Sequence, residues 1–109
     1  MLSMTDRQRI EHIIEHIDNV EQCIEGLDKD SFLRDNTIKY ACYGHMIIIS
    51  EAATKITRDT KKVLSNIEWK LITDFRNLIV HEYFRVDWNV VWDVIELNLP
   101  ILKKELENY

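Results

Sequence analysis

Arg76, Asn77, His81 and Tyr83 stand close together in an otherwise apolar run, Trp69-Lys70-Leu71-Ile72-Thr73-Asp74-Phe75-Arg76-Asn77-Leu78-Ile79-Val80-His81-Glu82-Tyr83-Phe84. Arginine is a permanent cation whose fork of donors fits phosphate oxygens. Histidine is the one side chain that gives or takes a proton near pH 7 without special tuning. A cation for a phosphate beside an acid/base group is the minimum kit for cleaving a phosphodiester bond.

The apolar positions Trp69, Ile72, Phe75 and Ile79, with Leu71 and Leu78, recur at three and four residues, so the spacing predicts an amphipathic helix over 69–84. On an ideal helix Arg76 and His81 then sit about 140° around and about 7.5 Å along from each other. They are not stacked neighbours. Either Arg76 bends back toward a substrate that His81 also touches, or a second chain completes the site. Tyr83, two turns beyond Arg76, would share its face. A plain packing reading stays open beside the chemical one, with Arg76 snorkelling, His81 filling a core gap and Tyr83 packing as an amphipathic ring.

Other polar residues invite a role. Glu51 lies among the small residues Ser50, Ala52 and Ala53, where helices approach closely and a carboxylate needs a partner; Arg76 and solvent are the candidates. His12-Ile13-Ile14-Glu15-His16 spells H-x-x-E-H, a zinc motif elsewhere. Here both histidines are expected to project into solvent, opposite the Ile10/Ile13/Ile14/Ile17 stripe, with no third ligand, so no metal site is assigned. His45 reads as a hydrogen-bonded packing residue, and Trp88 and Trp92 as core or interface. No glycine-rich phosphate loop is present, which makes a nucleotide-cradling enzyme a poor fit.

The totals bound these readings. With 109 residues the chain is expected to form one domain, 1–109, and to bury roughly two-thirds of its unfolded surface. Two glycines and one proline are few for strands and tight turns, which points to helices. A net charge of −5 argues against a broad nucleic-acid-coating surface but leaves room for a small positive cleft. Cys23 and Cys42 are isolated, so a reducing cytoplasm is the expectation. The stretch Met1-Leu2-Ser3-Met4-Thr5-Asp6-Arg7 lacks an apolar signal core, and the run Met46 to Ile49 is far too short to cross a bilayer.

Along the chain, Thr5 and Gln8 have the form of a capping box, and Ile10, Ile13, Ile14, Ile17, Val20, Ile24 and Leu27 draw a first helix that stops near Gly26. Asp28 to Asp35 reads as a loop with one helical turn. Asn36 or Thr37 is expected to cap a second long helix whose wide apolar face suits a central bundle element. Thr57 to Ser65 reads as a charged connection, with a short helix through Val63-Leu64. Asp87 would cap a helix carrying Trp88, Val91, Trp92, Ile95 and Leu99, which Pro100 breaks or restarts. The expected fold is all-α, an up-and-down bundle of four to five helices.

Arg76 to Tyr83 matches R-x-x-x-x-H-x-Y with a polar residue directly after the arginine. This resembles the HEPN superfamily, and in particular its HepT-like toxin branch, the DUF86 group. Asp35-Asn36-Thr37, Ser50-Glu51-Ala52-Ala53, Glu68-Trp69, Tyr83-Phe84-Arg85-Val86-Asp87 with Trp92, and Leu99-Pro100 also fall in the family's order, so the likeness runs over nearly the whole chain.

The resemblance implies a HEPN-like homodimer in which motif helices from both copies line one cleft, and an endoribonuclease that needs no metal or other cofactor. It assigns His81 as acid/base at the ribose 2′-hydroxyl or the leaving oxygen, Arg76 as the phosphate holder and Asn77 as its orienting neighbour, with Glu51 in support. It also implies that Tyr83 is adenylylated by a cognate minimal nucleotidyltransferase antitoxin, as in type VII-like pairs. The substrate would be RNA, tRNA or mRNA, in the cytoplasm and away from membranes. Two other classes remain: a non-catalytic helical module that docks a nucleotidyltransferase, and a structural helical dimer.

Overall fold

Thr5 caps the first helix. Its hydroxyl accepts from the Gln8 amide at 3.1 Å while the Gln8 side chain accepts from the Thr5 amide at 2.8 Å, the capping box expected of these two residues. The computed structural model describes residues 4–109; Met1, Leu2 and Ser3, the start of the stretch read for a signal core, lie outside the described residues. From this cap runs α1 (Asp6–Cys23), followed by α2 (Lys29–Arg34), α3 (Asn36–Thr54), α4 (Arg58–Val63) and α5 (Trp69–His81). A 3-10 turn (Tyr83–Arg85) leads to α6 (Trp88–Asp93), a π-helical turn (Val94–Asn98) and α7 (Leu99–Leu106). The fold is all-α, and no strand occurs among the described residues.

The core forms where the longest stripes meet. Ile10, Ile13, Ile17 and Val20 of α1 are buried against the wide face of α3, which offers Cys42, Met46, Ile49 and Ala53. Each buried isoleucine contributes roughly 1.5–3 kcal/mol through its removal from water. α3 also packs on α5, and α7 closes over α1. Burial pushes the Cys42 thiol up to about 12, so it behaves as a small hydrophobe. Among the described residues no helix is long and apolar enough to cross a membrane.

Two ties hold the bundle's ends. Asp6 at the start of α1 accepts from the Thr57 hydroxyl at 2.5 Å, the Thr60 hydroxyl at 2.6 Å and the Thr57 amide at 3.2 Å, which joins it to α4 across more than fifty residues of chain. Lys103 of α7 pairs with Asp18 of α1 at 2.6 Å.

Several local expectations are corrected. Asp35, rather than Asn36 or Thr37, caps α3, its carboxylate accepting from the Ile38 amide at 3.0 Å, because a single residue separates α2 from α3. The helix in the Thr57–Ser65 connection lies at Arg58–Val63, capped by Thr57. Pro100 does not end the last rod. It removes one amide and crowds the carbonyl four residues back, and the chain absorbs this by widening into the π turn just before it. The first helix ends at Cys23, and the chain turns through Gly26, whose φ of 76° favours a residue without a Cβ.

Candidate active site

The apolar stripe of α5 is laid on α3, and this contact decides where its polar residues fall. Ser50, Ala52 and Ala53 keep the α3 surface low around Glu51, so the long Arg76 side chain reaches across from α5. Its Nε donates to Glu51 Oε1 at 2.6 Å, and its Nη2 lies 2.5 Å from the same oxygen. Its Nη1 donates to Asn77 Oδ1 at 3.0 Å. Of the two partners expected for Glu51, the structure shows Arg76, and the half-buried pair with the exposed Asn77 beside it forms one cluster. A guanidinium has five N–H donors; three are engaged here, and two remain to meet an anion.

His81 is placed differently. It is the last residue of α5, exposed, and in no hydrogen bond or ion pair with Arg76, Asn77 or Glu51. The helical turn that carries it is held by a contact the sequence did not announce. The hydroxyl of Tyr43, on α3, donates to the carbonyl of Ile79, one of the last-turn carbonyls that a helix leaves without an internal partner. Burial, and then the neighbouring Tyr40, push the Tyr43 phenol above its ordinary range, so it stays a donor. The Glu82 amide closes the turn onto the Leu78 carbonyl at 2.9 Å.

Beyond His81 the helix stops, so the expected 69–84 span is too long. Val86 and Trp88 pack against the core and draw the chain off the helical path. Tyr83 consequently lies in the 3-10 turn and does not share the face of Arg76. Tyr83 is 71% exposed, and its ring stands edge-to-face on Phe84, centroids 5.7 Å apart.

The histidines of the H-x-x-E-H stretch also depart from expectation. His12 and His16 are half-buried at the α1–α3 seam. His16 Nε2 lies 3.0 Å from His12 Nε2, and His16 Nδ1 lies 2.9 Å from His45 Nδ1. His16 thus spends a different ring nitrogen on each partner, which makes a hydrogen-bonded chain of imidazoles. Three ligands converging on one point would be needed for a metal, and no such group occurs among the described residues. Burial, then the His12 and His45 charges, hold the His16 imidazole below the ordinary histidine value. His45 is the hydrogen-bonded packing residue expected, but its partner, His16 of α1, was expected in solvent and is brought to it only by the packing of α1 on α3.

Residues 13–109 match the family model described as Ribonuclease HepT-like. The chain belongs to the ribonuclease HepT-like family. Among relatives of this HepT-like protein, "Putative RNase MJ1380" of Methanocaldococcus jannaschii is 30% identical over 95 residues, covering 87% of each chain. "Probable ribonuclease HepT" of Thermococcus cleftensis is 28% identical over 106 residues, 97% of this chain and 96% of that one. No solved structure matches it.

Proposed function

We propose that this HepT-like protein is a toxin-type endoribonuclease that cleaves RNA with Arg76 and His81 at a cleft shared by two copies. The observation that carries the reading is the Arg76 guanidinium, immobilised by Glu51 and Asn77 with two N–H groups to spare, on the same helix as an exposed imidazole. Those two N–H groups take the non-bridging oxygens of the scissile phosphate and stabilise charge as it builds there. His81 accepts the proton of the ribose 2′-hydroxyl; that oxygen bonds to phosphorus, the bond to the 5′ oxygen breaks, and a proton is returned to the leaving oxygen. The products are a 2′,3′-cyclic phosphate and a 5′-hydroxyl. Asn77 keeps Arg76 in register, and Glu51 supports it from α3. A two-fold dimer relieves the distance between Arg76 and His81 on one helix by letting each copy supply a partner to the other.

Regulation follows from Tyr83. Its exposed hydroxyl, two residues past His81, is the acceptor for an AMP group from a cognate minimal nucleotidyltransferase antitoxin. The phenol oxygen bonds to the α-phosphorus of ATP, and pyrophosphate leaves. The added bulk and negative charge then occupy the space that RNA phosphates need.

The test is cleavage of single-stranded RNA by the purified chain, against Arg76→Ala and His81→Ala variants shown to be folded by circular dichroism. Each substitution is expected to lower the rate at least ~100-fold. Cleavage that survives both removes the assigned chemistry. Intact RNA with the unaltered chain, together with a stable nucleotidyltransferase complex, makes the protein a binding module instead.

A further inference from the structure

The end of α5 that carries His81 is bordered by aromatic rings and cations outside the Arg76 cluster. Tyr40 of α3 is 62% exposed, and its ring stands edge-on to Trp88 at 5.3 Å with an interplanar angle of 77°. Tyr43, which holds the Ile79 carbonyl, completes the group at 6.3 Å from Tyr40 and 6.1 Å from Trp88. The Lys39 ammonium lies 5.1 Å from the centre of the Trp88 ring. After His81 a second unit repeats the pattern: Phe84 is 68% exposed, its ring perpendicular to Tyr83, and the Arg85 guanidinium lies 5.5 Å from the Phe84 centroid. Neither Lys39 nor Arg85 is paired with a carboxylate among the described residues.

We propose that Tyr40, with Trp88 and Lys39, is a stacking platform for a nucleobase of single-stranded RNA, adjoining the proposed cleavage site; this deepens and rests on the ribonuclease reading. A perpendicular ring contact leaves at least one face of each ring uncovered by its partner, and an exposed ring face is what an unpaired base stacks upon. The adjacent ammonium meets the phosphate that follows the base. The unit is local, which suits a chain of net charge −5 that offers no broad basic surface. A second protein copy fits this patch less well. Leu71 and Ile101, two exposed aliphatic side chains of the kind a protein partner covers, border a separate apolar cleft between α3, α5 and α7.

Fluorescence anisotropy with a labelled single-stranded oligouridylate tests this in the full chain carrying His81→Ala, so that bound RNA stays intact. Tyr40→Ala is expected to weaken binding roughly tenfold, and Tyr40→Trp, which keeps a ring, to retain it. Lys39→Ala should lower the slope of affinity against salt. In the otherwise unaltered chain Tyr40→Ala should raise KM with little change in kcat, since a stacked base is held equally before and during reaction. Affinity unchanged by Tyr40→Ala, or lost equally in Tyr40→Trp, overturns the proposal. So does a Tyr40→Ala chain whose oligomeric state changes on size exclusion while its RNA affinity does not, which would make the patch a contact between copies. The two readings separate cleanly. Binding that depends on Tyr40 without cleavage by the unaltered chain removes the nuclease and leaves the platform, and cleavage indifferent to Tyr40 does the reverse.

Discussion

Glu51 Oε1 receives both the Nε and the Nη2 of Arg76, at 2.6 and 2.5 Å, so one carboxylate oxygen on α3 fixes the plane of a guanidinium on α5. The pair is half-buried, and its mutual attraction is moderated by solvent. Its weight therefore falls on orientation. Glu51→Gln is expected to lower kcat/KM for RNA about tenfold while shifting unfolding free energy by less than ~1 kcal/mol, as read from initial rates and urea denaturation.

Tyr43→Phe removes the donor that holds the Ile79 carbonyl and leaves the ring in place. A loss of ~1 kcal/mol in unfolding free energy is expected. Hydrogen exchange should quicken at the Glu82 amide, which closes the same turn, and cleavage should fall because His81 is held less firmly. Unchanged exchange at Glu82 would show that the α5 terminus does not depend on Tyr43.

Asp6 shows how much of the bundle's end rests on one side chain that is 11% exposed. Asp6→Ala leaves the buried Thr60 hydroxyl without its acceptor and is expected to cost about 1–3 kcal/mol in denaturant unfolding, with cleavage at 25 °C unchanged. Hydrogen bonds from Thr57 and then Thr60 hold its carboxyl below 3.8, so this contribution is present above pH 3.8 and is lost as the pH falls through the lower folded value.

The imidazole chain predicts a separate acid weakness at milder pH. His16 has a folded-state value below 6.5, so under acid the unfolded chain binds its proton before the folded one does. Stability is therefore full above pH 6.5 and declines as the pH falls from 6.5 toward the lower folded value. Urea denaturation between pH 8 and 5 should show this decline, and His16→Asn should flatten it. An equal decline in the variant would assign it to other groups.

What could be read before folding was whatever the chain encodes locally. The stripe from Ile10 to Val20 and the Thr5/Gln8 box defined α1, and Asp87 caps α6 as its type and position suggested. What could not be read was whatever a neighbour decides. No glycine or proline marks the end of α5; the stop depends on Tyr43 from α3 and on Val86 and Trp88 entering the core, so the helix ends before the 69–84 span is complete and Tyr83 falls in the 3-10 turn instead. The histidine chain needs His45 from a second helix, and the Glu51–Arg76 pair was one of two partners that residue type alone allowed. Pro100 has a strong local meaning, yet a single π turn absorbs it within a continuous rod.

The central claim is that Arg76 of one copy works with His81 of the other. Mixing the Arg76→Ala chain with the His81→Ala chain, each inactive alone, tests it directly by RNA cleavage after subunit exchange. A mixed dimer keeps one intact arginine and one intact histidine in the shared cleft, so cleavage should return to a sizeable fraction of the unaltered rate. A mixture that exchanges subunits and stays inactive, or a chain that is monomeric at working concentration, would contradict the account.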